Sequence, residues 1–302
     1  MSEIERVIEI TAEENSERLD AFIASQSDIT RSFAEKLISE GFVKVNGESR
    51  QKKYKVKSGD HIYIEVPKEG VPDLTPVKMD INIVYDCEHY AVIDKPAGVT
   101  VHPAPGHTDD TIVNAMLYEF EISDENDLRP GIVHRLDKDT SGLMLIAKNR
   151  DAREKLAKVF ADRLVDKYYM AVCWGRPKKD HFVINEPIGR HHKDRKKMTV
   201  REDGRQAKSE INVIKQKDLA FLAEVRIFTG RTHQIRVHMT HAGFPLAGDE
   251  VYGNKQSLKL PISRQALHSC RLSFLDPFTN EMVVYESGLP PDMQELIKRL
   301  KL

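Results

Sequence analysis

Arg129-Pro130-Gly131-Ile132-Val133-His134-Arg135-Leu136-Asp137-Lys138-Asp139-Thr140-Ser141-Gly142-Leu143 runs from an apolar segment into a charged turn and out into a second apolar segment. Residues 132–135 read as one strand, residues 143–147 as another, and the polar residues between them as a turn closed by Gly142. A carboxylate at a strand end is held by the pairing behind it and stays accessible, which makes Asp137 a candidate for chemistry. Two other readings of the same residues stand beside it. Asp, Thr, Ser and Gly all favour turns, so the segment can be a well-made hairpin turn and nothing more. Asp137 and Asp139 can also be the carboxylate pair of a glycosidase. A glycosidase would be expected to carry an aromatic sugar platform, and Trp174 is the single tryptophan.

Around this segment the pattern predicts strands at 81–85 and 91–94, a helix over 111–120, and an amphipathic helix over 150–164 bearing Leu156, Val159, Phe160 and Leu164. Residues 210–214, 223–229 and 234–239 alternate with period two and read as strands. Strands outnumber helices without alternating regularly with them. The expected fold class is therefore α+β with a largely antiparallel sheet rather than a doubly wound fold. His233, His238 and His241 lie within or beside the last of these runs, on mixed faces and without a nearby carboxylate pair, so no metal site is expected.

Residues 14–66 read as a separate small α/β module. Helical spacing covers 17–25 and 31–40, with Asp28 or Thr30 to cap the second helix and Gly41 to end it. Residues 42–45 alternate into Asn46-Gly47, a strong hairpin signal, and 61–66 form a second strand. Pro67, Pro72 and Pro76 then punctuate a semi-extended linker. The expected organisation is a module at 1–66, a linker at 67–79 and a larger domain at 80–302.

Composition narrows the function classes. At 40% hydrophobic and 31% charged residues, wholesale disorder is excluded. The cysteines Cys87, Cys173 and Cys270 are odd in number and far apart, which argues against a disulfide framework or a zinc finger. No apolar run is long enough for a membrane span, and the mixed, acidic start lacks the features of a signal peptide, so a cytoplasmic protein is expected. Net charge is −1, but the positive charge is concentrated. Residues 30–57 hold eight Lys/Arg against three acids, and residues 189–208 again eight against three. A polyanion gains from such clusters because each neutralised phosphate releases counterions. A single cluster of this kind is usually a solvated face; two make nucleic acid the expected partner.

The pattern Arg18-Leu19-Asp20, Thr30-Arg31-Ser32, Gly41-Phe42-Val43-Lys44-Val45-Asn46-Gly47 and Val56-Lys57-Ser58-Gly59-Asp60 resembles the S4 RNA-binding domain. That resemblance implies contacts to structured RNA from the second helix and the hairpin, with Arg31, Lys36 and Lys44 on phosphates. The segment His134 to Gly142 resembles the signature of the large-subunit rRNA and tRNA pseudouridine synthases of the RluA/RluD family. Collinear with it are Asp94-Lys95-Pro96-Ala97-Gly98, Lys167-Tyr168-Tyr169-Met170-Ala171, Thr229-Gly230-Arg231-Thr232-His233-Gln234-Ile235-Arg236, Gly248-Asp249 with Tyr252-Gly253, and Ala266-Leu267-His268. Leu275-Asp276-Pro277 departs from the family's usual His-Pro.

The family resemblance implies a mixed, largely antiparallel sheet with a central cleft, and isomerisation of specific uridines in structured RNA. In it Asp137 is the catalytic carboxylate, Arg236 its cationic partner and Tyr169 the ring that stacks on the target base. Arg135 fills the gap left by the flipped nucleotide, and Lys95, Arg231 and His233 support the pocket or bind phosphates. No cofactor is implied, since the reaction has no net redox change and needs no ATP. No obligate protein partner is implied either, and 23S rRNA is favoured over tRNA. Two competing functions remain: a non-catalytic S4-type RNA-binding or ribosome-assembly factor, and a nucleoside glycosidase that would release free uracil.

Overall fold

The computed structural model describes residues 4–15, 18–67, 74–103, 107, 109–120, 122, 130–194 and 197–302, without the Ser32 side chain. Glu17, Pro72, Arg129, Arg195 and Lys196, all used in the sequence reading, lie outside the described residues. The chain divides into two compact units, Met1–Asp73 and Leu74–Leu302. Residues 75–77, read as linker, are tied to the second unit: Thr75 O accepts from Asn114 Nδ2 at 2.9 Å and Val77 N donates to Asn114 O at 3.0 Å.

The first unit is an antiparallel sheet of β1 (Ile4–Thr11), β2 (Val43–Val45), β3 (Glu48–Ser49) and β4 (His61–Pro67) in the order β1-β4-β2-β3, with helices α1 (Leu19–Gln26) and α2 (Arg31–Ser39). Strand β1 escaped the sequence reading because its residues are mostly exposed, which leaves no clean alternation of buried and solvated positions. Leu19, Ile23, Ala34, Leu37, Ile62 and Ile64 close the core. Thr30 caps α2 by accepting from Phe33 N, whereas Asp28 pairs with Arg6. Asn46 and Gly47 both take positive φ, as a tight hairpin requires.

The second unit contains β5 (Asn82–Asp86), β6 (Tyr90–Lys95), α3 (Ile112–Phe120), β7 (Ser141–Ala147), α4 (Arg150–Ala161), β8 (Asp166–Trp174), β9 (His181–Ile184), β10 (Ile188–Arg190), β11 (Met198–Val200), β12 (Ser209–Lys217), β13 (Ala220–Ile227), α5 (Gln234–His241), β14 (Leu267–Leu275), β15 (Met282–Glu286) and α6 (Pro291–Leu300). One sheet runs β5-β6-β7-β14-β8-β13-β12-β9, with β15 on β14; β10 and β11 form their own hairpin. Its pairings are antiparallel except β7 with β14. The α+β class with a mixed, largely antiparallel sheet is therefore what the chain adopts.

Both faces of the central strands are covered, which is why β7 is buried throughout. Met144 and Ile146 join α3 and α5 in one core, together with Tyr169, Ala171 and Val225. Leu143 and Leu145 join Leu156 of α4 in another. Val172 and Leu222 pack with Met293 and Leu296 of α6.

Two local readings are corrected. Residues 132–135 are not a strand; only Ile132 bridges to Ile146. Residues 234–239 are helical, within α5. Period two was a false signal there because polar and apolar residues alike are buried, from Gln234 to Met239. Polarity along this helix marks hydrogen-bonding duties rather than exposure.

Strand β7 begins beside β14 so closely that a Cβ on Gly142, at φ +113°, would lie 2.3 Å from Ser269 O. Gly142→Ala is expected to cost about 3 kcal/mol or more from strain and backbone overlap together, read as a lowered midpoint in denaturant unfolding.

Candidate active site

Asp137 is positioned by what happens along the edge of β7. Gly131 O accepts from Ala147 N at 2.9 Å, and two residues further in the His134 Nε2 accepts from Leu145 N at 2.8 Å. An imidazole thus stands where a strand carbonyl would, ending the pairing and releasing residues 135–140 into a turn. The turn is then clamped from below. Lys95 Nζ donates to Lys138 O at 2.8 Å, Arg264 Nη1 donates to Asp139 O at 3.0 Å, and Thr140 N closes on Asp137 O at 3.1 Å.

His134 stacks on Phe160 with ring centroids 4.5 Å apart, and burial pushes its pKa down to about 3. Its folded value lies below its unfolded one, so the folded state binds fewer protons between the two. The stability it confers is complete above about pH 6.5 and is lost as pH falls through that window toward 3. We expect the wild-type protein to lose about 2–3 kcal/mol more than His134→Gln between pH 6.5 and 4, measured by urea unfolding at each pH.

The Asp137 carboxylate meets one guanidinium. Arg236 Nη1 donates to Asp137 Oδ2 at 2.9 Å, while its Nε and Nη2 hold Asp249 in a two-pronged pair at 2.8 and 2.9 Å. Asp249 is fully buried and accepts in addition from Val251 N and Tyr252 N, both at 3.0 Å. Burial opposes the charge on Arg236, but Asp249 and Asp137 outweigh it and raise its pKa above the ordinary arginine value. Asp249 therefore aims Arg236, and Arg236 aims Asp137. The Asp137 side chain keeps about a fifth of its surface open, against none for Asp249, so it is the carboxylate a ligand can reach.

His233 adopts φ +56° just ahead of α5, which turns its ring toward the same carboxylate. Its Nε2 lies 3.9 Å from Asp137 Oδ1, and its Nδ1 is 2.8 Å from Tyr252 OH. Burial pushes the His233 imidazole below its ordinary pKa. Tyr169 on β8 is buried, and burial raises its phenol pKa, which keeps the hydroxyl protonated and able to donate.

These groups line a cleft of about 500 Å³ whose apolar wall includes Leu136, Ile227, Ile235 and Leu267. Asp137, Tyr169, Arg236, Arg135, Arg231 and His233 all reach it. Arg135 is exposed, and Arg231 donates through Nε to Gln206 O at 3.0 Å. Lys95 does not reach the cleft, and its expected place as an RNA contact is corrected. Wholly buried, its ammonium is surrounded by the carbonyls of Pro96, Val99 and Lys138 at 2.7–2.9 Å. Arg31, Lys36 and Lys44 belong to the first unit, where all three are exposed. Arg31 shares the buried Asp20 with Arg18.

Asp249 and Tyr252 were quoted from the sequence without a role, and Arg264 was not singled out at all. A buried arginine on α5 demands an acid, and the rule that buried charges are paired would have prompted the search for one. No local pattern links Arg264 to a turn more than 120 residues earlier. Among the described residues no cluster of His, Cys, Asp and Glu is arranged to hold a metal ion.

Residues 89–241 match the family described as RNA pseudouridylate synthase, and residues 17–62 match the S4 domain. An uncharacterized RNA pseudouridine synthase of Bacillus subtilis (strain 168) is 43% identical over 97% of this chain and 98% of its own. The ribosomal large subunit pseudouridine synthase D of Pseudomonas aeruginosa is 39% identical over 99% of this chain and 96% of its own.

The chain belongs to the RNA pseudouridine synthase family. Its second unit also shares the fold of human RNA pseudouridylate synthase domain containing 4, with a TM-score of 0.59 at 24% identity over 73% of this chain and 93% of the other. The synthase carries its family signature on the clamped turn and on the segment that leads through Arg231 into α5, the two pieces that the Asp137–Arg236 pair joins. The departure at Asp276 falls away from the cleft. Its buried carboxylate accepts from Tyr90 OH at 2.6 Å and from Phe278 N at 2.8 Å, which makes it part of the sheet's support.

Proposed function

We propose that this synthase converts specific uridines of 23S rRNA to pseudouridine, with Asp137 as the catalytic carboxylate. The N1–C1′ bond breaks, the uracil turns within the cleft, and a C5–C1′ bond forms. N1 ends with a proton and C5 loses one, so the product is an isomer and no oxidant or nucleotide is consumed. Asp137 attacks or deprotonates the sugar or the base, and Arg236 holds its carboxylate in place as the base enters. The Tyr169 ring stacks on the uracil and its hydroxyl stands ready for proton transfer. Arg135 takes the place of the extruded nucleotide in the RNA stack. The observation that carries this reading is the Asp137–Arg236 pair at the edge of a cleft that Tyr169 also lines.

Residues 1–66 act as the RNA-gripping module, joined through 67–79 to the catalytic domain at 80–302, with Arg31, Lys36 and Lys44 on phosphates. The rRNA substrate is favoured by relatives that bear the ribosomal large subunit name, and it places the enzyme in the cytoplasm with the ribosome. Carbodiimide mapping of pseudouridine in rRNA and tRNA from deletion and complemented cells tests the substrate. Sites lost from 23S rRNA and restored on complementation support it; loss confined to tRNA refutes it.

A non-catalytic assembly role makes a different prediction. If the first unit alone mattered, Asp137→Asn would complement a deletion fully and Lys36→Gln/Lys44→Gln would not. We expect the reverse for modification. The double lysine variant should weaken RNA binding by about tenfold and flatten its salt dependence by roughly one to two charges, measured by filter binding across a KCl series.

A further inference from the structure

The cleft contains more positive charge than its chemistry uses. Asp137 is the single carboxylate among the lining residues, and it is committed to Arg236. Arg163, Lys167 and Arg231 line the same cleft. Lys167 is the unusual one: 7% exposed, it has no hydrogen bond or ion pair to any described residue, and its ammonium rests 5.7 Å from the centre of the Phe160 ring. Its neighbour Asp166 is taken by Arg226. Lys167 and Tyr169 are two apart on β8 and so share a face of that strand.

Arg163 brings a second cation to this place. It follows α4 at φ +60° and is exposed, and its side chain has no partner among the described residues. Its charge lowers the proton affinity of both Lys167 and Arg231, while on Lys167 the adjacent Asp166 acts in the opposite sense and more strongly. Burial is the larger cause in both cases. An ammonium whose stem is buried and whose head opens on the cleft beside a like charge gains when an anion arrives between them.

We infer that Lys167, Arg163 and Arg231 form an anion subsite that takes a backbone phosphodiester flanking the target uridine. This rests on the proposed synthase function and adds to it a grip on the nucleotide being turned. Lys167 supplies the inner point charge and the two arginines the outer fork. The phosphodiester holds the sugar still while the freed base rotates, and the subsite discriminates RNA from a free nucleoside.

Lys167→Met keeps the length and packing of the side chain and removes its charge. Binding of the whole protein to an unmodified 23S rRNA transcript is measured across a KCl series, and melting of the free protein alongside. The expected result is an RNA Kd raised by about tenfold or more and a log–log salt slope shallower by roughly 0.7–0.9. The free variant should melt within about 3 °C of the wild type, which separates a lost contact from a lost fold. An unchanged Kd and slope overturns the inference. If 10 mM inorganic phosphate stabilises the wild type and not Lys167→Met while RNA affinity is equal, the site takes free phosphate and the phosphodiester assignment is wrong. Wild-type conversion of the same transcript is scored separately. Its absence would sink the rRNA reading and leave the binding comparison intact.

Discussion

Asp137→Asn is expected to abolish pseudouridine formation, a loss of at least about 10³-fold, while leaving RNA affinity within roughly threefold. The amide has the size and shape of the carboxylate, so the turn held by Lys95 and Arg264 keeps its clamps. What it lacks is the negative charge that the proposed mechanism requires and that Arg236 answers. Tritium release from C5-labelled uridine in rRNA reads the step directly, because C5 must lose its hydrogen. Turnover within tenfold of wild type would remove Asp137 from the chemistry. Release of free uracil by the wild-type protein would instead point to a glycosidase.

The second large effect concerns stability and activity together. Arg236→Met leaves Asp249 fully buried with its guanidinium partner gone and, among the described residues, only the Val251 and Tyr252 amides as donors. Breaking a buried pair from one side costs about 3–5 kcal/mol, so the unfolding midpoint in guanidinium chloride should drop markedly and activity should vanish. Arg236→Lys keeps the charge but cannot span two carboxylates with one ammonium. It should remain better folded than Arg236→Met and lose about 10²-fold in turnover from misplacement of Asp137. Arg236→Met/Asp249→Leu removes both buried charges and should recover most of the lost stability with no activity. That split separates the structural half of the Arg236 interaction from the half that faces substrate. A fully active Arg236→Met would refute the arrangement.

Much of the fold was legible because most of the elements obey local rules. Strand β7 is a continuous apolar run, α4 shows helical spacing of Leu156, Val159 and Phe160, and Asn46-Gly47 announces a hairpin. The misreadings share a cause. Helix α5 alternates in polarity because Gln234, Arg236 and His238 are buried on networks of their own: Gln234 to Thr229 and Ser209, Arg236 to two aspartates, His238 to Ser209. Residues 132–135 resemble a strand because they begin beside one, but a side chain at His134 replaces the backbone in the ladder.

The sequence by itself determined the kinds of group this protein brings to its chemistry, the order in which they occur, and the family to which their spacing belongs, because motif and periodicity are local properties of a chain. Only the tertiary structure decided which charges answer one another. Asp137 and Arg236 are 99 positions apart, and Arg264 is 125 from the carbonyl it holds. It also decided that Lys95 is sealed behind the turn while Lys167 opens on the cleft with no ion pair among the described residues. Both are lysines within apolar strands. What separates them is the partner set that folding assembles around each, and no local pattern encodes that.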